Sequence, residues 1–168
     1  MNSEELKSIQ APLKELYRDN PESALVTLKS EGRPTKGLSC KIGTGKAISE
    51  AGLHPATGGD GSQLCSGDML LDALVACAGV TFSAVSTAMS LKVEDARILA
   101  EGDLDFRGTL GVDKTVPVGF KEIRMTFLIS SVESEETLNK LLQLTERYCV
   151  IYQTIKAGVT ISISRKEL

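Results

Sequence analysis

From Ser66 to Met89 the chain carries only two charges, Asp68 and Asp72, and after Asp72 it carries none. Ala, Leu, Val, Ser and Thr occupy every side of this stretch, so no polar stripe survives at helical period, and the pattern predicts a helix buried all round. Ser66 stands where an N-cap belongs, and the two aspartates lie near the positive end of the helix dipole. The run from Met69 to Met89 has the length of a membrane span. Asp72 interrupts it, however, and its Ser, Thr, Ala and Gly content makes it weakly hydrophobic, so it reads as the central helix of a soluble core. Cys77 lies in its middle.

With 168 residues, 42% of them apolar, the chain suffices for one domain with a real core. The net charge of -3, 4% aromatic content and absence of Trp supply neither the basic surface nor the stacking inventory of a nucleic-acid binder. Asn2, Ser3, Glu4 and Glu5 open the chain without a basic region and apolar run, so no secretory signal is visible and a cytoplasmic protein is expected. The four cysteines, Cys40, Cys65, Cys77 and Cys149, are too sparse for a disulfide scaffold and lack CxxC spacing for zinc. No metal or cofactor is expected.

Residues 3–19 read as a helix opened by Ser3 and broken or kinked at Pro12. Residues 24–29 and 38–42 read as two strands joined through a turn-rich stretch at 32–37, with Leu38, Cys40 and Ile42 on one face. A short strand is expected around Ala47-Ile48. The Gly-rich loop that follows, containing His54, is too polar for core and reads as a flexible lid running into the central helix. Residues 92–106 and 123–129 predict an antiparallel pair separated by a loop at 108–119. Ser134 caps a helix whose Leu138, Leu141, Leu142 and Thr145 form an apolar stripe leading to Tyr148 and Cys149. A last helical turn around Tyr152 to Lys156 ends at Gly158, and residues 159–164 alternate as a terminal strand. Residues 1–22 are thus a helical extension and 23–168 a single α+β domain. One small sheet covers the central helix on one side only, so a homodimer that stacks two such helices between sheets is expected.

Ala76-Cys77 in a buried Ala-rich helix, followed later by the run Arg147-Tyr148-Cys149-Val150-Ile151-Tyr152-Gln153-Thr154-Ile155-Lys156-Ala157-Gly158, resembles the OsmC/Ohr proteins from about residue 37 onward. The resemblance implies antiparallel sheets wrapped around a buried central helix in an intertwined homodimer. It also implies that Cys77 attacks organic hydroperoxides, that Cys149 resolves the product to a disulfide, and that an external dithiol reduces it. The family commonly opens the central helix with Pro-Glu and pairs the Glu with an upstream Arg. Here Ser66 and Gly67 stand in those places, with Asp68 as substitute acid and Arg33, His54 and Lys46 as the upstream cations. Val150 stands where the family has Pro after the second cysteine.

A buried thiol has a raised pKa, so something must offset burial at Cys77 if it is to act as a thiolate. Taken alone, such a cysteine is a small inert hydrophobe, as Cys40 is most simply read. Cys65, beside the helix start, either competes as resolving thiol or is unpaired. Two other readings suit the same chain: a binder of small hydrophobic ligands or slow redox sensor that keeps the fold and cleft, and a purely structural dimer.

Overall fold

The computed structural model describes residues 2–20, 31–35, 39–43, 48–111 and 113–165. Helix α1 (Ser3–Asp19) is opened by Asn2 and not by Ser3: the Asn2 side chain accepts the Glu5 N–H at 2.9 Å while the Glu5 carboxylate accepts the Asn2 N–H at 2.9 Å. This reciprocal box satisfies two orphan donors of the first turn. Pro12 lies inside one assigned helix rather than dividing two; an interior proline removes a single hydrogen bond, which bends a capped helix without ending it.

Strand β1 (Glu31–Thr35) pairs antiparallel with β2 (Ser39–Gly43), placing Pro34 opposite Cys40 and Arg33 opposite Lys41. The expected turn at 32–37 is therefore largely strand, and as an edge strand β1 accepts a proline that cannot donate to the ladder. The expected strand at 24–29 lies outside the described residues. β2 pairs antiparallel with β3 (Ile48–Gly52), longer than the brief strand anticipated near Ala47. β3 then pairs in parallel with an unanticipated short strand, β4 (Leu64–Cys65), which completes a four-stranded sheet. Between β3 and β4 the loop holds its own shape: His54 Nδ1 accepts the Ala56 N–H at 3.0 Å over a 3-10 turn at Pro55–Thr57, and Asp60 accepts from the Ser62 N–H and hydroxyl.

Helix α2 (Ser66–Ala88) follows directly, with Cys65 at its N-cap and Ser66 as its first helical residue, one position on from expectation. Its burial also differs from expectation. Only Leu74, Ala78 and Phe82 are buried, a single row at four-residue spacing, while Val80 is 72% exposed. The closest cover comes from the strand Val93–Leu104 and the C-terminal helices Glu135–Tyr148 and Val150–Ala157, which pack against this row. α2 is also, among the described residues, the one helix long and apolar enough to cross a membrane by length and composition.

Strands β5 (Val93–Leu104) and β6 (Phe120–Ser131) form the expected antiparallel pair, with Ala100 opposite Met125 and Gly102 opposite Ile123, as a separate two-stranded sheet. The connection contains a short helix, α3 (Phe106–Thr109), where loop was expected; Asp105 caps it by accepting the Arg107 N–H. Helix α4 (Glu135–Tyr148) begins at Ser134, whose hydroxyl accepts the Thr137 N–H at 3.2 Å as the capping pattern requires. Helix α5 (Val150–Ala157) is longer than a single turn and stops at Gly158, whose φ of 69° suits glycine. The terminal strand is not formed. Residues 158–165 join no sheet, and Val159, Ile161 and Ile163 are 63%, 80% and 95% exposed. A period-two pattern makes a strand only where an open ladder edge meets it.

The core is a meeting of two rows, each of three residues at four-residue spacing. Leu74, Ala78 and Phe82 of α2 face Leu141, Thr145 and Cys149 of the α4 end, with Ile98 and Ala100 of β5 and Ile123, Met125 and Phe127 of β6 packed beside them. The Thr145 hydroxyl is satisfied by donating to the Leu141 carbonyl at 2.8 Å. Leu141, with no exposed surface, anchors this row. Leu141→Ala is expected to destabilise the fold by about 3 kcal/mol, and Val132→Ala, at an exposed position, by under about 0.5 kcal/mol. Urea unfolding of the reduced protein measures both.

Candidate functional site

Cys77 follows Val75 and Ala76 on α2 and precedes the fully buried Ala78, so its side chain leaves the helix at the edge of the core row and is half-buried. Cys149 sits at the corner between α4 and α5. Its N–H donates to the Thr145 carbonyl at 2.9 Å and its carbonyl accepts from the Gln153 N–H at 3.0 Å, so it ends one helix and starts the next, with no exposed surface. Both cysteines belong to the cluster built on Leu74 and Ala78, close enough that each acts on the other's ionisation. Both are free thiols.

The corner at Cys149 also supplies what the buried thiol needs. Burial raises the Cys77 pKa, but N–H groups of Ile151 and Val150 at the start of α5, the Cys149 thiol and the Thr81 hydroxyl all donate to its sulfur. Together they outweigh burial and hold Cys77 below the ordinary thiol value. Cys149 moves the other way: burial raises it, and the neighbouring Cys77 sulfur raises it further against the N–H groups of Tyr152 and Ile151. The two thiols are thus shifted in opposite directions, the more accessible one down and the enclosed one up.

A cavity of about 860 Å³ lies between α2, β6, α4 and α5; neither cysteine lines it, but it shares Leu74, Met125 and Tyr152 with their cluster. Leu70, Leu74, Ile123, Met125, Phe127, Leu142 and Ile155 make its walls largely apolar. At its polar end Glu146 accepts from the Tyr152 hydroxyl at 2.6 Å and from the Lys156 ammonium at 2.9 Å, and Lys156 lies 5.3 Å from the Tyr152 ring centre. The Tyr152 ring in turn packs on the cysteine cluster. The cavity presents an apolar body with a polar rim that includes the paired Glu146 and Lys156 together with Lys121 and Glu122, and the body suits a mostly apolar small molecule.

The other candidates gather elsewhere. His54, Cys65 and Asp68 line a separate pocket of about 340 Å³ at the start of α2, walled by Phe106 and Phe120. There His54 stacks on Phe106 with ring centres 4.9 Å apart, and the Phe120 ring fills the space above Gly102. Along α2, Asp68 is about 13 Å and Cys65 about 18 Å from Cys77 by helical rise, so in this protomer Cys65 is out of reach as a resolving thiol. The Gly-rich loop reaches this second pocket through His54. Arg33 lies in β1 opposite Lys41, and Cys40 in β2 opposite Ala51. Sequence reasoning passed over Thr81, the α5 amides and the Glu146–Tyr152–Lys156 group. The first was findable, since a hydroxyl four positions after a helical cysteine shares its face. The α5 amides were not, because they have no side-chain signature.

Residues 59–164 match the family model described as OsmC-like protein. A search of curated protein sequences finds no match. Among solved structures, the OsmC-like protein from Mycoplasma pneumoniae superimposes with a TM-score of 0.67 at 16% identity, over 79% of this chain and 89% of that one. An organic hydroperoxide resistance protein from Elizabethkingia anophelis gives 0.64 at 14% identity, over 80% and 91%. An organic hydroperoxide resistance protein OsmC from Legionella pneumophila gives 0.63 at 16% identity, over 80% and 93%. At these identities the likeness is one of fold.

The asymmetry of the two thiols is directly measurable. Brief treatment of the reduced protein with iodoacetamide at neutral pH is expected to label Cys77 well ahead of Cys149, with Cys149 labelling only when denaturant opens the α4–α5 corner. Peptide mass spectrometry reads the order, and equal labelling of both contradicts the assignment.

Proposed function

The chain belongs to the OsmC-like protein family, and from that premise we propose that it is a thiol-dependent peroxidase that reduces organic hydroperoxides through Cys77 and Cys149. The observation that carries this reading is the contact between a half-buried thiol held below its ordinary pKa and a fully buried thiol held above it. Two relatives of the same fold are named for organic hydroperoxide resistance, which supports the substrate class. The apolar cavity beside the pair supports an alkyl or aryl substituent on the peroxide.

The steps follow from the geometry. The Cys77 thiolate attacks the outer peroxide oxygen; the S–O bond forms as the O–O bond breaks, and the alkoxide takes a proton to leave as alcohol. Sulfur is oxidised to the sulfenic acid and the peroxide reduced. The Cys149 thiol, already in contact, then displaces water from that sulfenic acid to give the Cys77–Cys149 disulfide. An external dithiol returns both thiols by exchange and becomes a disulfide itself. Cys77 is the sulfur that the reductant reaches, because Cys149 has no exposed surface.

The same proposal includes a homodimer in the cytoplasm, with residues 1–22 as a helical extension on a domain spanning 23–168, and no nucleic-acid, membrane, metal or cofactor requirement. The exposed Val80 face of α2 and the alternating, unpaired Val159, Ile161 and Ile163 support the dimer, since one copy leaves both without cover. A second reading, a binding protein for small hydrophobic ligands, is favoured by the size and apolar lining of the same cavity.

One equivalent of an organic hydroperoxide added to the fully reduced protein is expected to give a Cys77–Cys149 disulfide within seconds, faster than hydrogen peroxide does, in a non-reducing peptide map. Thiols that stay reduced would sink the peroxidase and leave the binding reading. Sedimentation equilibrium is expected to report twice the mass of one chain, and Ile161→Asp with Ile163→Asp to weaken that association at least tenfold; a monomeric wild type removes the dimer.

A further inference from the structure

Helix α4 stops and α5 starts on either side of one residue, Cys149, whose side chain makes no capping hydrogen bond to α5. Among the described residues, every side-chain hydrogen bond that crosses this corner ends on Glu146. Its carboxylate accepts from the Tyr152 hydroxyl at 2.6 Å and from the Lys156 ammonium at 2.9 Å, and its main-chain carbonyl accepts from the Gln153 side-chain amide at 2.8 Å. The spacing accounts for the convergence. Glu146 lies in the last turn of α4, where carbonyls lack a helical partner, and Tyr152 and Lys156 stand four apart on one face of α5.

The bonds to the carboxylate are unequal. The Lys156 and Glu146 side chains are 59% and 45% exposed, and an ion pair so open to water contributes little. The Tyr152 bond is short and runs to a charged acceptor, and it comes from a ring that packs on the cluster of Leu74, Ala78 and Cys149. That bond holds the Glu146 carboxyl below its ordinary pKa and the Tyr152 phenol above its own, so carboxylate and phenol are the forms present at neutral pH. Tyr152 therefore joins the cysteine cluster at its ring to the end of α4 at its hydroxyl.

We propose that Glu146 and Tyr152 form a clasp across the α4–α5 corner that positions the Cys149 thiol toward Cys77, which makes them positioning residues for closure of the disulfide. The proposal rests on the reading of Cys77 and Cys149 as a redox pair. A disulfide closes only within a narrow range of backbone separation and side-chain direction. Cys149 sits at the joint between two helices, so a change in their angle moves its sulfur, and fixing that angle raises the effective concentration of one thiol at the other. The two side chains act through the corner and exchange no electrons themselves.

The test equilibrates reduced protein in glutathione buffers without peroxide, quenches with acid, alkylates, and reads the Cys77–Cys149 state by peptide mass spectrometry. The two protein thiols give two electrons and two protons to glutathione disulfide, which becomes two molecules of glutathione as the Cys77–Cys149 bond forms. At half oxidation, the squared glutathione concentration divided by that of its disulfide is the effective concentration of Cys149 at Cys77.

Glu146→Ala, and Tyr152→Phe, which keeps the ring, are each expected to lower that value at least about threefold, as loss of a charge-assisted hydrogen bond implies. Glu146→Gln keeps an acceptor and returns part of the way, and Lys156→Met changes the value by less than about twofold. Ser134→Ala removes the cap at the far end of α4, so it lowers stability in urea while its effective concentration stays at wild type. Either Glu146→Ala or Tyr152→Phe at the wild-type value overturns the clasp and leaves the peroxidase standing. A fall in Ser134→Ala as large as theirs also overturns it, by showing general loosening. The expected pattern without any disulfide on addition of an organic hydroperoxide upholds the clasp and removes the peroxidase. A wild-type pair that glutathione disulfide never bridges overturns both.

Discussion

Everything at the site depends on the burial of Cys149 at the corner where α4 becomes α5. Leu141, Thr145 and Cys149 recur at four-residue spacing and share one face, so the row that packs α4 against α2 ends on a sulfur. Ala78 supplies the room opposite, for a methyl group lets the two backbones approach closely enough for the thiols to touch. A larger residue at 78 would keep the helices and lose the contact. Packing here is thus also the device that sets the reactive distance.

The same corner resolves an electrostatic conflict. A thiol removed from water resists ionisation, and burial is the largest effect on both cysteines. Hydrogen bonding from the α5 main chain lowers both thiols, and with the Cys149 and Thr81 groups acting on Cys77 as well, Cys77 is held down while burial holds Cys149 up. These shifts fit the proposed roles, with the nucleophile at the accessible sulfur and the resolving thiol at the enclosed one. Chemistry and access agree because one turn of backbone determines both.

Local patterns in the chain translated into structure where the deciding contacts are themselves local. The Ser134 cap, the apolar stripe of α4, the stop at Gly158 and the alternation of β5 and β6 each rest on neighbours a few residues away. Other patterns needed something remote. Residues 159–164 alternate as a strand, but without a free ladder edge their backbone finds no partner. α2 has the composition of a helix buried all round, yet the described elements enclose only the Leu74, Ala78 and Phe82 row. Hydrophobic periodicity records how much surface must be covered and leaves open which chain covers it. The grouping of His54, Asp68 and Cys65 at the far end of α2 was equally hidden, because helical rise separates residues that appear close in sequence.

The sequence by itself determined the α+β class, the central helix and the family, and it singled out the two cysteines on which the proposed function rests, since composition, periodicity and motif are all properties of consecutive residues. Only the tertiary structure decided that these cysteines touch, which of them is enclosed, and that backbone amides and a threonine surround the reactive sulfur. Those outcomes depend on how separate helices lie against one another. A main-chain N–H looks the same at every position in a sequence and acquires a function only from the direction in which the fold points it.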